Sequence, residues 1–164
     1  MATPISDLRV ILRREINVPG FEQLPDITNT ELDGYISDAF WEARLMGMLD
    51  TYSSDGTNIF ATSDNGDLPE MYQQLVSIVA GIRMIRLKLF NLAINIRAQA
   101  GPTEFEQQAS ATTLRAIFKS MEDRLKALLS IYSDQLGATA TYYFDSTLQR
   151  ESAVVGGYME LQVF

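Results

Sequence analysis

The residues able to do chemistry are few in kind. The 164-residue chain has neither histidine nor cysteine. That removes histidine general bases, thiol nucleophiles, disulfides and Cys/His zinc sites. Carboxylates remain. Asp38 and Glu42 stand four apart, with Asp33 nearby. A di-metal carboxylate bundle is built on Glu-x-x-His pairs, so this trio reads as a solvated helix face. A glycosidase-type acid pair stays open on counting alone, but no motif marks a sugar cleft. The sequence holds no P-loop, no G-x-G-x-x-G, no G-x-S-x-G elbow and no S-x-x-K. The expectation is a protein that is not an enzyme, with no metal and no cofactor.

Two other residue groups stand out. Arg83, Arg86, Lys88 and Arg97 punctuate the longest apolar stretch. One reading makes them channel or inter-subunit charges, touching a partner subunit or passing DNA. The other pairs them with acids of the second helix or of a neighbour, because a buried charge needs a partner. Three cations between 75 and 96 argue against a membrane helix. On the next helix Arg115, Lys119, Glu122 and Lys126 keep helical spacing and read as an exposed face. The second group is aromatic. Tyr142, Tyr143, Phe144, Tyr158 and Phe164 crowd the tail, where Arg150 is the one cation after 137. Base stacking is served by interleaved cations, so the candidates are an interface core or the chain's own core. Ile59, Phe60, Met159, Leu161 and Val163 join them as candidate interface residues.

The charge is uneven. Twenty-one acids and 13 bases give −8. Residues 1–66 carry 11 acids and 4 bases, residues 67–136 carry 7 and 8, and residues 137–164 carry 3 and 1. An acidic chain does not clamp nucleic acid, whose affinity comes from lysine and arginine on phosphate. The asymmetry fits either a solvated acidic surface or head-to-tail self-association. No signal-peptide pattern opens the chain, and an intracellular or virion setting suits the absence of cysteine.

These residues must be held by elements that the pattern predicts. Thr3 and Pro4 open a first helix over 4–16, ended by Val18-Pro19-Gly20, and 21–27 reads as a linker. Thr28-Asn29-Thr30-Glu31 is a capping box for a second helix, ending near Leu49. Residues 50–66 carry the turn pairs Asp55-Gly56 and Asn65-Gly66, with a short strand between them over 57–62. They predict a protruding loop or small hairpin outside the core. A third helix over 68–100 would be about 50 Å long. Gly101-Pro102 turns it into an antiparallel fourth helix, opened by the box Thr103 to Glu106 and stopped at Gly137, with a kink available at 109–113. Thr139 to Phe144 is β-branched and aromatic, and residues 158–164 alternate after Gly156-Gly157, so both read as strands. Two strands form no stable sheet alone. An apolar strand ending the chain wants a cover. The expected fold class is mainly α: an antiparallel bundle of about four helices with two long central ones, a protruding loop and a strand-containing C-terminal tail. Residues 1–137 would be the bundle and 138–164 a tail for contact with another subunit or partner.

This layout resembles the head–tail connector, or adaptor, proteins of tailed bacteriophages. It has a short first helix, the capped segment TNTELDGYISDAFWEARLMGML, a loop, the long apolar helix DLPEMYQQLVSIVAGIRMIRLKLFNLAINIRAQAG, its antiparallel partner and a strand-rich tail. The resemblance lies in layout and not in a diagnostic motif. It implies a virion structural protein at the head–tail junction, made in the host cytoplasm. It also implies a homo-oligomeric ring, commonly of twelve copies, docked between the portal protein and the next neck or tail protein. DNA would pass through that channel without sequence recognition, beside an acidic wall to which it does not stick. The resemblance brings no catalytic residues and no membrane contact. The other readings are a tail or baseplate component and a helical ligand-binding domain.

Overall fold

The computed structural model describes residues 1–16, 27–98 and 104–160, with side chains at 1–16, 27–91 and 111–155. The chain runs β1 (Thr3–Pro4), α1 (Ile5–Ile16), α2 (Asn29–Leu45), β2 (Tyr52–Ser54), β3 (Asn58–Ala61), α3 (Glu70–Ala98) and α4 (Glu104–Glu160). It is mainly helical, with a small antiparallel sheet and two long central helices.

Helix α1 buries Ile5, Leu8, Leu12 and Ile16, one residue per turn. Helix α2 starts on the expected capping box. Thr28 Oγ1 accepts from the Glu31 amide at 3.2 Å, and the Thr28 amide donates back to Glu31 Oε2 at 3.0 Å. Its inner face is Leu32, Ile36, Ala39, Phe40 and Ala43. It ends at Met46, earlier than expected, because Gly47 turns the chain with φ 79°.

Residues 50–66 fold as a hairpin whose turn is held by Asp55. Its Oδ1 accepts from the amides of Thr57 at 2.8 Å and Asn58 at 2.7 Å. The strand order is β1-β3-β2, with Thr3 opposite Ile59 and Ser53 opposite Phe60. The hairpin is therefore not outside the core. The strand at Thr3–Pro4 covers the β3 edge, and Ile59 is fully buried. Thr3 also ties this sheet to α3 by accepting the Leu68 amide at 2.8 Å.

Helix α3 is the centre of the bundle and is about 43 Å long at 1.5 Å per residue. Residues 75–85 are buried without interruption, as expected for a helix apolar on most sides. Helices α1, α2 and α4 all pack on it. Gly81 leaves room for side chains of α4 and α1: a Cβ there would overlap Met121 Cε and lie 2.6 Å from Leu12 Cδ1.

The C-terminal part corrects the sequence reading. Thr139 to Phe144 is helix, not strand, and so are residues 156–160. Helix α4 is broken once, at Gly137, whose φ 73° and ψ 168° are non-helical. Segment 138–160 then presents Ala140, Tyr143, Phe144, Thr147, Leu148, Glu151 and Val155 to the bundle. This is a helical stripe. β-branched and aromatic residues suggested extended chain, but burial of that stripe on α3 overrides local preference. The linker after α1, the Gly101-Pro102 turn, the cap at Thr103 and Leu161, Val163 and Phe164 lie outside the described residues.

The break itself is testable. The conformation of Gly137 belongs to glycine alone, and open space surrounds the position of its Cβ. The cost of Gly137→Ala is therefore backbone strain without a clash, on the order of 1–3 kcal/mol. Urea unfolding is expected to show that loss, with asparagine no better than alanine, because ψ 168° is outside the left-handed helical well.

Candidate functional site

Several of the side chains singled out as candidates meet at one place. Helix α3 carries Arg83 and Arg86 three residues apart, so they share a face. Arg83, 8 % exposed, donates to Glu42 of α2 at 2.5 Å. Arg86 Nε lies 2.9 Å from Glu151 Oε2 on α4. Arg150 bridges the two acids, 3.1 Å from Glu42 and 3.7 Å from Glu151. Tyr143 is buried beside Arg83 and Glu42, with its ring edge-on to Phe144 at 5.1 Å. The cluster thus ties α2, α3 and the second segment of α4 together.

Electrostatics follow from that placement. Burial pushes the Glu42 carboxyl up, but hydrogen bonds and charge from Arg83 and Arg150 outweigh it, so its pKa falls below 4.5. Burial pushes the Tyr143 phenol up. A lowered carboxylate stabilises the fold above its unfolded pKa, and that gain is lost as pH falls through the folded value. Glu42→Gln is therefore expected to be less stable than the wild type at pH 7. The difference should close as pH drops from about 4.5 downward. Thermal melts of both proteins at pH 7, 4 and 3 check this; a gap that stays constant means the Glu42 pair contributes nothing through its charge.

Two further candidate charges also find partners within the chain. Lys88 Nζ is 3.3 Å from Glu31 on α2. Asp33 faces Arg9 at 3.5 Å. Arg97 lies on α3, beyond the described side chains. The expected solvated carboxylate face is accordingly split: Asp38 is exposed, while Glu42 is half-buried and paired. Among the described residues no three His, Cys, Asp or Glu come together as a metal-type group. Pairing within the chain accounts for Arg83, Arg86 and Lys88. Arg83 in particular is buried and not available to line a channel.

The candidate interface residues divide. Ile59, Tyr143 and Phe144 are core residues of the chain itself, which corrects their assignment to an interface. Phe60 is half-buried in β3. Tyr142 is 76 % exposed and lines an open cleft of about 520 Å³ at the Gly137 break, with Ser133, Thr141 and Asp145. Tyr158 and Met159 lie on the last turns of α4, beyond the described side chains. Sequence reasoning missed other exposed apolar side chains: Trp41 and Leu45 on α2, Met46 at its C-cap, and Ile131 on α4. The signal was present, since Trp41 and Leu45 fall off the stripe of Leu32, Ile36, Ala39, Phe40 and Ala43 that faces the core.

No helix is long and apolar enough to cross a membrane among the described residues. Compared with known proteins, the chain matches no family model, no curated protein and no solved structure.

Proposed function

We propose that this chain is a structural subunit of a tailed-phage virion, forming a ring between portal and tail that braces the DNA exit channel. The observation that carries the reading is the architecture. Three helices pack on one long central helix, and a hairpin is clamped at the end where α1 and α3 begin. The order of helices is the one the resemblance is built on, while the strand-rich tail it included is helix over 138–160. Two further features support an assembly role. Apolar side chains such as Leu45, 83 % exposed, and Ile131, 65 % exposed, point away from the core. Glu42, Arg83, Arg86, Arg150 and Glu151 are paired with one another across helices, a structural use of charge. The virion location, the ring of about twelve copies, and the portal and neck partners belong to this proposal.

The test is antibody–gold labelling of tailed particles purified from cells that make the chain in its genomic setting, viewed by electron microscopy. Label at the head–tail junction is expected. Label along the tail shaft or at its tip moves the chain to another tail or baseplate role. Particles without label, intact or disrupted, overturn the virion reading.

A further inference from the structure

The two segments of α4 are held to the bundle by different chemistry. Between 111 and 129 the first segment buries eight side chains, Leu114, Phe118 and Leu125 among them, and all eight are apolar. Between 138 and 155 the second buries seven, of which Thr147 and Glu151 are polar and Tyr143 carries a buried hydroxyl. The second seam is also poorly satisfied. Six buried side-chain polar atoms lack a hydrogen bond among the described residues, and all but Asp33 Oδ1 belong to this segment or to Arg83 beside it. Arg83 Nε and Nη2 are unbonded, and so is Ser152 Oγ. Tyr143 Oη lies near Arg83 and Thr147 without the alignment of a hydrogen bond. Glu151 Oε2 meets Arg86 Nε as an ion pair only.

A buried polar atom without a partner has lost its hydration and gained nothing in exchange. Opening segment 138–160 hydrates these atoms together, which offsets part of the cost of exposing Phe144, Leu148 and Val155. Opening the first segment exposes apolar surface with no such offset. The joint for a separate opening is present at Gly137. It is the non-helical residue inside α4. No other side chain packs within 4 Å of its Cβ position, and an open cleft lies beside it. A change of φ and ψ at that residue swings the segment without a clash at the joint.

We infer that residues 138–160 are a strap that opens from α3 as one unit about Gly137 while the bundle up to Leu136 stays folded. The closed form predominates, because its apolar stripe is buried and because Arg86 holds Glu151 and Arg150 holds Glu42. The open form presents Phe144, Leu148 and Val155 on one face of the strap and uncovers Arg86 on α3. Both surfaces are withheld in the closed chain. The inference concerns the chain by itself and stands apart from the ring reading.

The experiment is native-state hydrogen exchange on the full-length chain, followed by NMR at low urea concentrations. Amides 142–155 are expected to share one opening constant, about tenfold or more larger than that of amides 114–129. Its urea dependence should be shallower, because a strap exposes less surface than global unfolding. Two variants separate the causes. Leu12 reaches Gly81 beside Met121 of the first segment, and this packing survives in the open form. Leu12→Ala should therefore raise the opening constant of 114–129 about thirtyfold or more and leave that of 142–155 unchanged. Tyr143→Phe removes one unsatisfied atom from the closed form and should lower the opening constant of 142–155 about fivefold or more. A single constant shared by both segments overturns the inference. So does a gradient of exchange rising residue by residue toward 160, which is fraying and not a unit. Leu12→Ala affecting both segments equally, or Tyr143→Phe speeding exchange in the strap, overturns it as well. The wild-type comparison and Tyr143→Phe decide the matter even where Leu12→Ala fails to fold.

Discussion

Replacing Phe144 with alanine is expected to lower stability by about 3–5 kcal/mol, the range for removing a fully buried phenylalanine. The side chain is 0 % exposed and sits on the inward stripe of segment 138–160, edge-on to Tyr143. Its neighbours on that stripe, Ala140 and Leu148, belong to the same rigid helix and cannot collapse into the space. Urea unfolding followed by circular dichroism measures the loss. Because Phe144 belongs to the chain's own core, the loss should be the same at 1 μM and at 100 μM protein. An interface residue would instead show a dependence on concentration. A loss under about 1 kcal/mol would mean that segment 138–160 is not packed on α3.

That segment also marks the boundary of what was legible. Helices α1 to α3 announce themselves through local signals: a cap whose partners are three residues apart, an apolar stripe of period 3.6, a glycine where the chain turns. Thr28 and Glu31 need only each other to start α2. Residues 139–144 offered two signals in conflict. Thr-Ala-Thr-Tyr-Tyr-Phe is strand-like by residue type, while Ala140, Tyr143, Phe144, Leu148 and Val155 are helix-like by spacing. Spacing prevails where there is a face to bury, and α3 supplies that face. The hairpin was readable from Asp55-Gly56, but not its place in the core. Ile59 is buried because Thr3, more than fifty residues away, pairs with it.

The charge cluster was half legible for the same reason. A helix apolar on most sides that carries Arg83 and Arg86 must find anions for them, so the sequence requires partners. It does not name them. Glu42 was read as solvent-facing, since its place on α2 follows Asp38. Glu151 drew no notice at all, because nothing local separates a buried acid from an exposed one. Only the return of α4 onto α3 after Gly137 brings Glu151 under Arg86.

Glu151 gives the second large expected effect. It is 1 % exposed, at a position where the stripe of segment 138–160 is otherwise mostly apolar. Glu151→Leu removes the anion facing Arg86 and one of two facing Arg150. A buried pair broken on one side costs about 3–5 kcal/mol, because the remaining charge keeps its desolvation penalty. Arg86 is 29 % exposed and regains some water, so the lower end of that range is expected. The double change Arg86→Leu/Glu151→Leu removes the stranded charge, and stability should return close to the wild type or exceed it. The two proteins then differ in uniqueness of docking. With the pair present, a slip of segment 138–160 by one turn away from Arg83 parts Glu151 from Arg86 and moves it toward the apolar turn at Leu89, which is penalised. With leucine at both positions the slipped arrangement is no longer penalised. Backbone amide NMR spectra report this directly. The double variant should show broadened or doubled signals between 138 and 155 while its denaturation midpoint is preserved. Single sharp signals there would mean that packing of Tyr143, Phe144 and Leu148 sets the register without the ion pair. A Glu151→Leu variant as stable as the wild type would mean that the carboxylate is not buried in solution.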